Sequence, residues 1–244
     1  MTSEIRVGLC GFTMAMGEYA RHFPVVEVQS TFYEPPSDAV MQRWLATTAP
    51  SLEYTMKVWQ LVTHPASSPT YRRVKRPPDP GDVPGFFRDS RAVATGWQRS
   101  VECAAVLSAT AMLFQCPASF RPHAENIRHL RRFFNELDRP SARLLWEPRG
   151  AAWVEQRDLA ASLCDELGLV YVVDPFVTAP VPEHPVYWRL HGITGARHSY
   201  SEAELRRLHA MVREVAAPGP AYVLFNNLPR IGDAKRFLEL IARP

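Results

Sequence analysis

Along this chain of 244 residues, side chains able to do chemistry stand where apolar runs end. Lys57 closes YTMK, Glu147 and Arg149 close LLWEPR, Asp174 closes VYVVD, His191 follows YWRL, and Asn226 and Asn227 follow YVLF. Lys57 and Arg149 are suited to clamp a carboxylate or phosphate in charge-assisted hydrogen bonds. Glu147 or His191 could move a proton at such a substrate, and the asparagines could orient its polar groups. Glu147, Asp174 and His191 are also ligand types for a divalent metal, so metal-assisted hydrolysis or isomerisation is a variant of the same reading. No H-x-x-x-H or H-x-H spacing supports that variant.

Strand alternation sorts a deeper set. In 25–31, Glu27, Gln29 and Thr31 fall opposite Val26 and Val28. In 186–191, Tyr187, Arg189 and His191 fall opposite Val186, Trp188 and Leu190. Buried alone, Glu27 or Arg189 would cost on the order of several kcal/mol per ion. Each is therefore expected to be paired, and ion pairing between strands and direct ligand contact both meet that demand.

Three further signals lie in loops. Asn226-Asn227 leads through LPRIG into a helix, and HGITGARH (191–198) adds glycines, an arrangement that can hold a phosphate. SPTYRRVKRPP (68–78) groups Tyr71 with Arg72, Arg73, Lys75 and Arg76, which could touch a nucleic-acid backbone and stack on a base, or attract an anionic substrate. His64 in VTHP follows a strand and could be catalytic. There is no G-x-S-x-G elbow, no Walker motif and no G-x-G-x-x-G after the first strand.

Near-continuous apolar runs are the pattern of parallel strands, and in a strand–helix barrel the chemistry gathers at their C-terminal ends. Strands are predicted over 5–10, 25–29, 53–57, 111–115, 143–147, 169–174, 186–190 and 221–225. Helices are predicted through Tyr19 and His22, behind Ser37, from near Asp89, behind Pro122, over 154–167, over 201–216 behind a Ser201/Glu204 capping box, and over 231–242. Residues 59–88 are rich in proline, without sustained period, and read as a long insertion over the barrel mouth. PFVTAPVPEHP (175–185) reads as an irregular connection after the sixth strand. The predicted fold is α/β, one (β/α)8 TIM-like barrel over the whole chain.

Bulk properties bound the function. Hydrophobic content of 46% and charged content of 22% suit a folded domain. A net charge of +3 is no global polycation. Cys10, Cys103, Cys116 and Cys164 make no C-x-x-C pair and read as buried thiols. No charged-then-apolar leader precedes Ile5 and no apolar stretch approaches membrane-spanning length, so a soluble cytoplasmic protein without membrane contact is expected.

The ordered pieces VVEVQSTFYEPPS (25–37), YTMKVWQLVTHP (54–65), MLFQCPASF (112–120), VDPF (173–176), YWRLHG (187–192) and LFNN (224–227) resemble the YecE-like family, a domain of unknown function with a TIM-barrel fold. The resemblance implies polar mouth positions at Glu27, Thr31, Tyr33, Lys57, Thr63, His64, Gln115, Glu147, Arg149, Arg189, His191, Gly192, Asn226 and Asn227. The chain departs from the family pattern at Gly8–Phe12, which lacks a tryptophan, and at Glu147–Trp153, where Pro148 separates the charges and no serine is present. The functional expectation is an enzyme for a small phosphate- or carboxylate-bearing molecule, with Lys57, Glu147 and His191 as the catalytic candidates. The competing expectation is a non-catalytic nucleotide- or nucleic-acid-binding barrel that uses residues 71–76.

Overall fold

The computed structural model describes residues 4–48, 52–75, 77–182, 184–215 and 219–243. In chain order its elements are β1 (Ile5–Cys10), α1 (Met16–His22), β2 (Val25–Val28), α2 (Ser30–Tyr33), α3 (Asp38–Thr47), β3 (Glu53–Lys57), α4 (Gln60–Thr63), a 3-10 turn (Pro69–Arg73) and α5 (Arg91–Leu107). There follow β4 (Ala111–Gln115), α6 (Ala124–Glu136), β5 (Arg143–Glu147), α7 (Ala151–Glu155), α8 (Arg157–Leu167), β6 (Val170–Tyr171), β7 (Tyr187–Leu190), α9 (Glu202–Glu214), β8 (Ala221–Phe225) and α10 (Arg230–Ile241). The strands belong to one parallel sheet in the order β6-β5-β4-β3-β2-β1-β8-β7, and a parallel bridge between Val173 and Trp188 links its two ends. This is the (β/α)8 fold that the sequence predicts.

Strands β1, β3, β4, β5 and β8 have their predicted bounds, β7 begins one residue later than predicted, and β6 covers only Val170–Tyr171 of the predicted 169–174. Strand β2 stops earlier than predicted. Gln29 has turned helical (φ −94°, ψ −26°) and opens α2, so Gln29 and Thr31 do not continue the strand alternation. The helix predicted over 154–167 is divided at Gln156 (φ −108°, ψ 35°) into α7 and α8. Residues 59–88 are not structureless, since α4 and the 3-10 turn lie within them.

Contacts gather into two compact units. The first is drawn from Met1–Glu27, Thr47–Glu53 and Val170–Pro244 and holds β1, most of β2, β6, β7 and β8 with α1, α9 and α10. In its core the Tyr19 hydroxyl donates to the Val25 carbonyl (2.8 Å) and accepts from the Leu9 N–H (2.9 Å). Helix α9 begins in the Ser201/Glu204 capping box that its sequence announces. The second unit, Val28–Ala46 with Tyr54–Leu169, holds β3 from Tyr54 onward, β4, β5 and α4 to α8. Its core packs Phe87, Phe114, Phe120 and Phe134, each at most 1% exposed, which contribute about 1.5–3 kcal/mol apiece by burial.

Candidate active site

In the second unit, the chain leaves β3 at Lys57, makes the single helical turn α4 and delivers His64 in extended conformation (φ −107°, ψ 134°). The insertion grips that turn. The N–H groups of Gly85, Phe87 and Phe86 donate to the carbonyls of Leu61 (2.8 Å), Val62 (3.0 Å) and Thr63 (3.3 Å), and the Tyr71 hydroxyl donates to the His64 carbonyl (2.9 Å). Gly85, Phe86 and Phe87 all have positive φ (83°, 57° and 55°). For phenylalanine that region is strained, and strain of this kind persists only where the surroundings enforce it.

The side chains at this turn pack around the Phe32 ring. His64 is 4% exposed, with Nδ1 2.8 Å from the Thr63 hydroxyl and its ring edge-on to Phe32 at 4.8 Å. The Lys57 ammonium lies 3.8 Å from the centroid of the same Phe32 ring, and Lys57 is 5% exposed. Thr31 donates to the Lys57 carbonyl (2.7 Å), which ties α2 to β3. Burial, then the charges of Lys57 and Arg149, push the His64 pKa down from 6.5 to about 3. The imidazole is therefore neutral at physiological pH. With Nδ1 engaged by the Thr63 hydroxyl, Nε2 is the ring atom that can meet a ligand.

Strand β5 delivers Glu147, and Arg149 turns back to it, with Nε and Nη2 each 2.7 Å from Glu147 Oε1. Gln115 ends β4 in register with Glu147. Tyr33 ends α2, and its carbonyl accepts from Trp59 Nε1 and Gln60 Nε2 (both 3.2 Å). The Arg73 guanidinium lies 4.4 Å over the Tyr33 ring. Arg72, Arg73 and Lys75 are exposed, while Arg76 lies outside the described residues. Burial raises the Tyr71 pKa above its usual value.

The first unit uses its sequence-predicted residues differently. Glu27 and Arg189 are both fully buried and face each other, with Nε at 3.1 Å and Nη2 at 2.8 Å from Oε1, and the Tyr187 hydroxyl donates to Oε2 (3.0 Å). Asp174 accepts the backbone N–H groups of His191 (2.8 Å) and Phe176 (3.1 Å), and His191 Nδ1 stands 3.5 Å from its Oδ2. Asn227 is fully buried and donates to the His198 carbonyl (2.8 Å) and to Asp233 (2.5 Å). Asp233 also accepts from Ser199, from the Tyr200 N–H and from Arg236. Asn227 thus ties the loop after β8 to the loop after β7. The Asn226 N–H extends the sheet by donating to Leu190 (2.8 Å).

Among the described residues, no three His, Cys, Asp or Glu side chains converge as metal ligands, the set Glu147, Asp174 and His191 included. All four cysteines are free thiols and buried. No helix among the described residues is long and apolar enough to cross a membrane. Sequence reading missed Phe32, Gln60 and the Gly85–Phe87 clamp. Phe32 lies inside the VVEVQSTFY run, but a four-residue helix leaves no period to expose its role.

Solved structures share the fold. A DUF72 family protein from Thermotoga maritima matches at 21% identity over 98% of this chain and 100% of its own, with a TM-score of 0.73. One from Enterococcus faecalis matches at 19% identity over 99% of each chain, with a TM-score of 0.71. A xylose isomerase domain containing protein from Salmonella typhimurium matches at 13% identity over the full length of both chains, with a TM-score of 0.61. Among curated proteins no match is found. The family model "Protein of unknown function DUF72" matches residues 13–243, and the chain belongs to that family.

Proposed function

We propose that the protein is an enzyme acting on a small phosphate- or carboxylate-bearing molecule at the C-terminal ends of β3 and β5. One observation carries this reading: His64 and Lys57, 4% and 5% exposed, are buried against the same Phe32 ring, at 4.8 Å and 3.8 Å from it. The Lys57 ammonium, little screened by water, favours an anionic group at this turn. Lys57 and Arg149 hold the anion, His64 donates to a developing oxyanion without bringing a charge of its own, and Glu147 carries the proton. A base beside a neutral donor suits proton transfer next to a carbonyl, the chemistry of an isomerase. The likeness in fold to a D-psicose 3-epimerase (10% identity, TM-score 0.58) is compatible with that class.

The test is binding of phosphate, methylphosphonate and short hydroxycarboxylates, read by thermal shift and calorimetry. Wild type is expected to be stabilised by at least one of them. Lys57→Ala should fold and lose that stabilisation, and Glu147→Gln should keep binding but lose turnover of any substrate found. Equal stabilisation of wild type and Lys57→Ala overturns the reading.

A further inference from the structure

We propose that Arg73 is a second anion-recognition point for the ligand held at Lys57 and Arg149, so that the natural ligand carries two anionic groups spaced along one molecule. This inference rests on the reading of the site as an anion site and adds the class of ligand. Its first support is position. Arg73 lies 4.4 Å over Tyr33, the Tyr33 ring is 5.0 Å from Phe32, and Phe32 carries the Lys57 ammonium at 3.8 Å and the His64 ring at 4.8 Å. These contacts make a continuous row from the insertion to Lys57 and His64.

The second support is charge. Among the described residues no carboxylate lies within ion-pairing distance of Arg73, whereas Arg91, farther along the insertion, is paired with Asp79. The third is restraint. The segment that carries Arg73 is pinned on both sides, by Tyr71 to the His64 carbonyl (2.9 Å) and by the Lys75 N–H to Glu34 Oε2 (3.2 Å). Gln60 Nε2 adds a contact to the Thr70 carbonyl (3.5 Å). Arg72, next door and exposed, makes no such contact with the described residues. A guanidinium lying over an aromatic face leaves the N–H groups at its edge, in its own plane, free to meet an anion in bidentate fashion. An exposed arginine held in place on the same aromatic row as Lys57, with no carboxylate of the described residues in ion-pairing distance, is suited to bind charge arriving with a ligand.

The probes are methylphosphonate and α,ω-alkanebisphosphonates of increasing length, titrated calorimetrically into the full chain. At one length the bisphosphonate should bind wild type roughly tenfold tighter than methylphosphonate, since the second group binds at high effective concentration. Arg73→Ala should erase that excess and leave methylphosphonate affinity unchanged, and Arg73→Lys should keep part of it. Lys57→Ala should weaken both probes. If no bisphosphonate outdoes methylphosphonate, or if Arg73→Ala binds the best one as wild type does, the role of Arg73 is overturned while the Lys57 site stands. If methylphosphonate binding ignores Lys57→Ala, the site reading fails and this inference fails with it.

Discussion

Arg189 and Glu27 form an ion pair in which both side chains are fully buried, with Nη2 2.8 Å from Oε1. Tyr187 completes the carboxylate from its other oxygen. Removing one member takes the buried countercharge from the other, so Glu27→Gln and Arg189→Met should each destabilise the fold by about 3–5 kcal/mol. The double replacement should recover much of that loss, because it leaves no charge behind. Urea denaturation of the two single variants and the double variant measures the coupling. Single variants that keep full stability but lose ligand binding would instead make this pair part of a ligand site.

His64 makes stability depend on pH in a definite direction. Its folded pKa is lowered to about 3 from an ordinary 6.5, so between those values the unfolded chain binds more protons. The contribution of His64 is complete above pH 6.5 and is lost progressively as pH falls toward 3. Across the whole window it amounts to a few kcal/mol in order of magnitude. Comparing the pH dependence of unfolding for wild type and His64→Asn isolates it. The variant should show a shallower acid limb, and identical limbs would mean that the imidazole is not held neutral.

Gly85 sits at φ 83°, and a Cβ there would come within 2.3 Å of the His64 carbonyl group. Gly85→Ala therefore meets two obstacles, a left-handed backbone that costs about 1–2 kcal/mol and a clash with backbone that cannot swing aside. The expected result is a lowered melting temperature together with loss of anion binding, because the displaced segment carries His64. Gly81 (φ 90°) has no atom within 4 Å of the added carbon, so Gly81→Ala should show the backbone penalty and retain binding. Melting curves and phosphonate titrations of the two variants separate the effects.

The strands were legible because each is an apolar run with a polar end, and the Glu27–Arg189 pair was legible because alternation holds in β2 through Val28 and in β7. It failed one residue later, where Gln29 starts a helix too short to leave a 3.6-residue period. The role of Asn227 was hidden for a different reason. Its partners come from the loop after β7 (His198) and the first turn of α10 (Asp233), and no local pattern encodes a contact made by tertiary folding. The insertion was legible as an interruption only, since its order comes from backbone hydrogen bonds to Leu61, Val62 and Thr63 and not from any repeat in its side chains.

The basic segment also bears on nucleic acid. Tyr71, the aromatic residue that would stack on a base, is half-buried and its hydroxyl is held by the His64 carbonyl. Backbone binding by Arg72, Arg73 and Lys75 remains chemically open to them, and neutralising a few phosphates would make affinity fall steeply with salt. Fluorescence anisotropy with single-stranded DNA at low and physiological salt should therefore show weak binding that disappears at the higher salt. In Tyr71→Phe that behaviour should not change, although the variant should lose about 1 kcal/mol of stability with its hydrogen bond. DNA binding that persists at physiological salt and is abolished by Arg72→Glu with Arg73→Glu would move the function of this segment from small anions to polynucleotides.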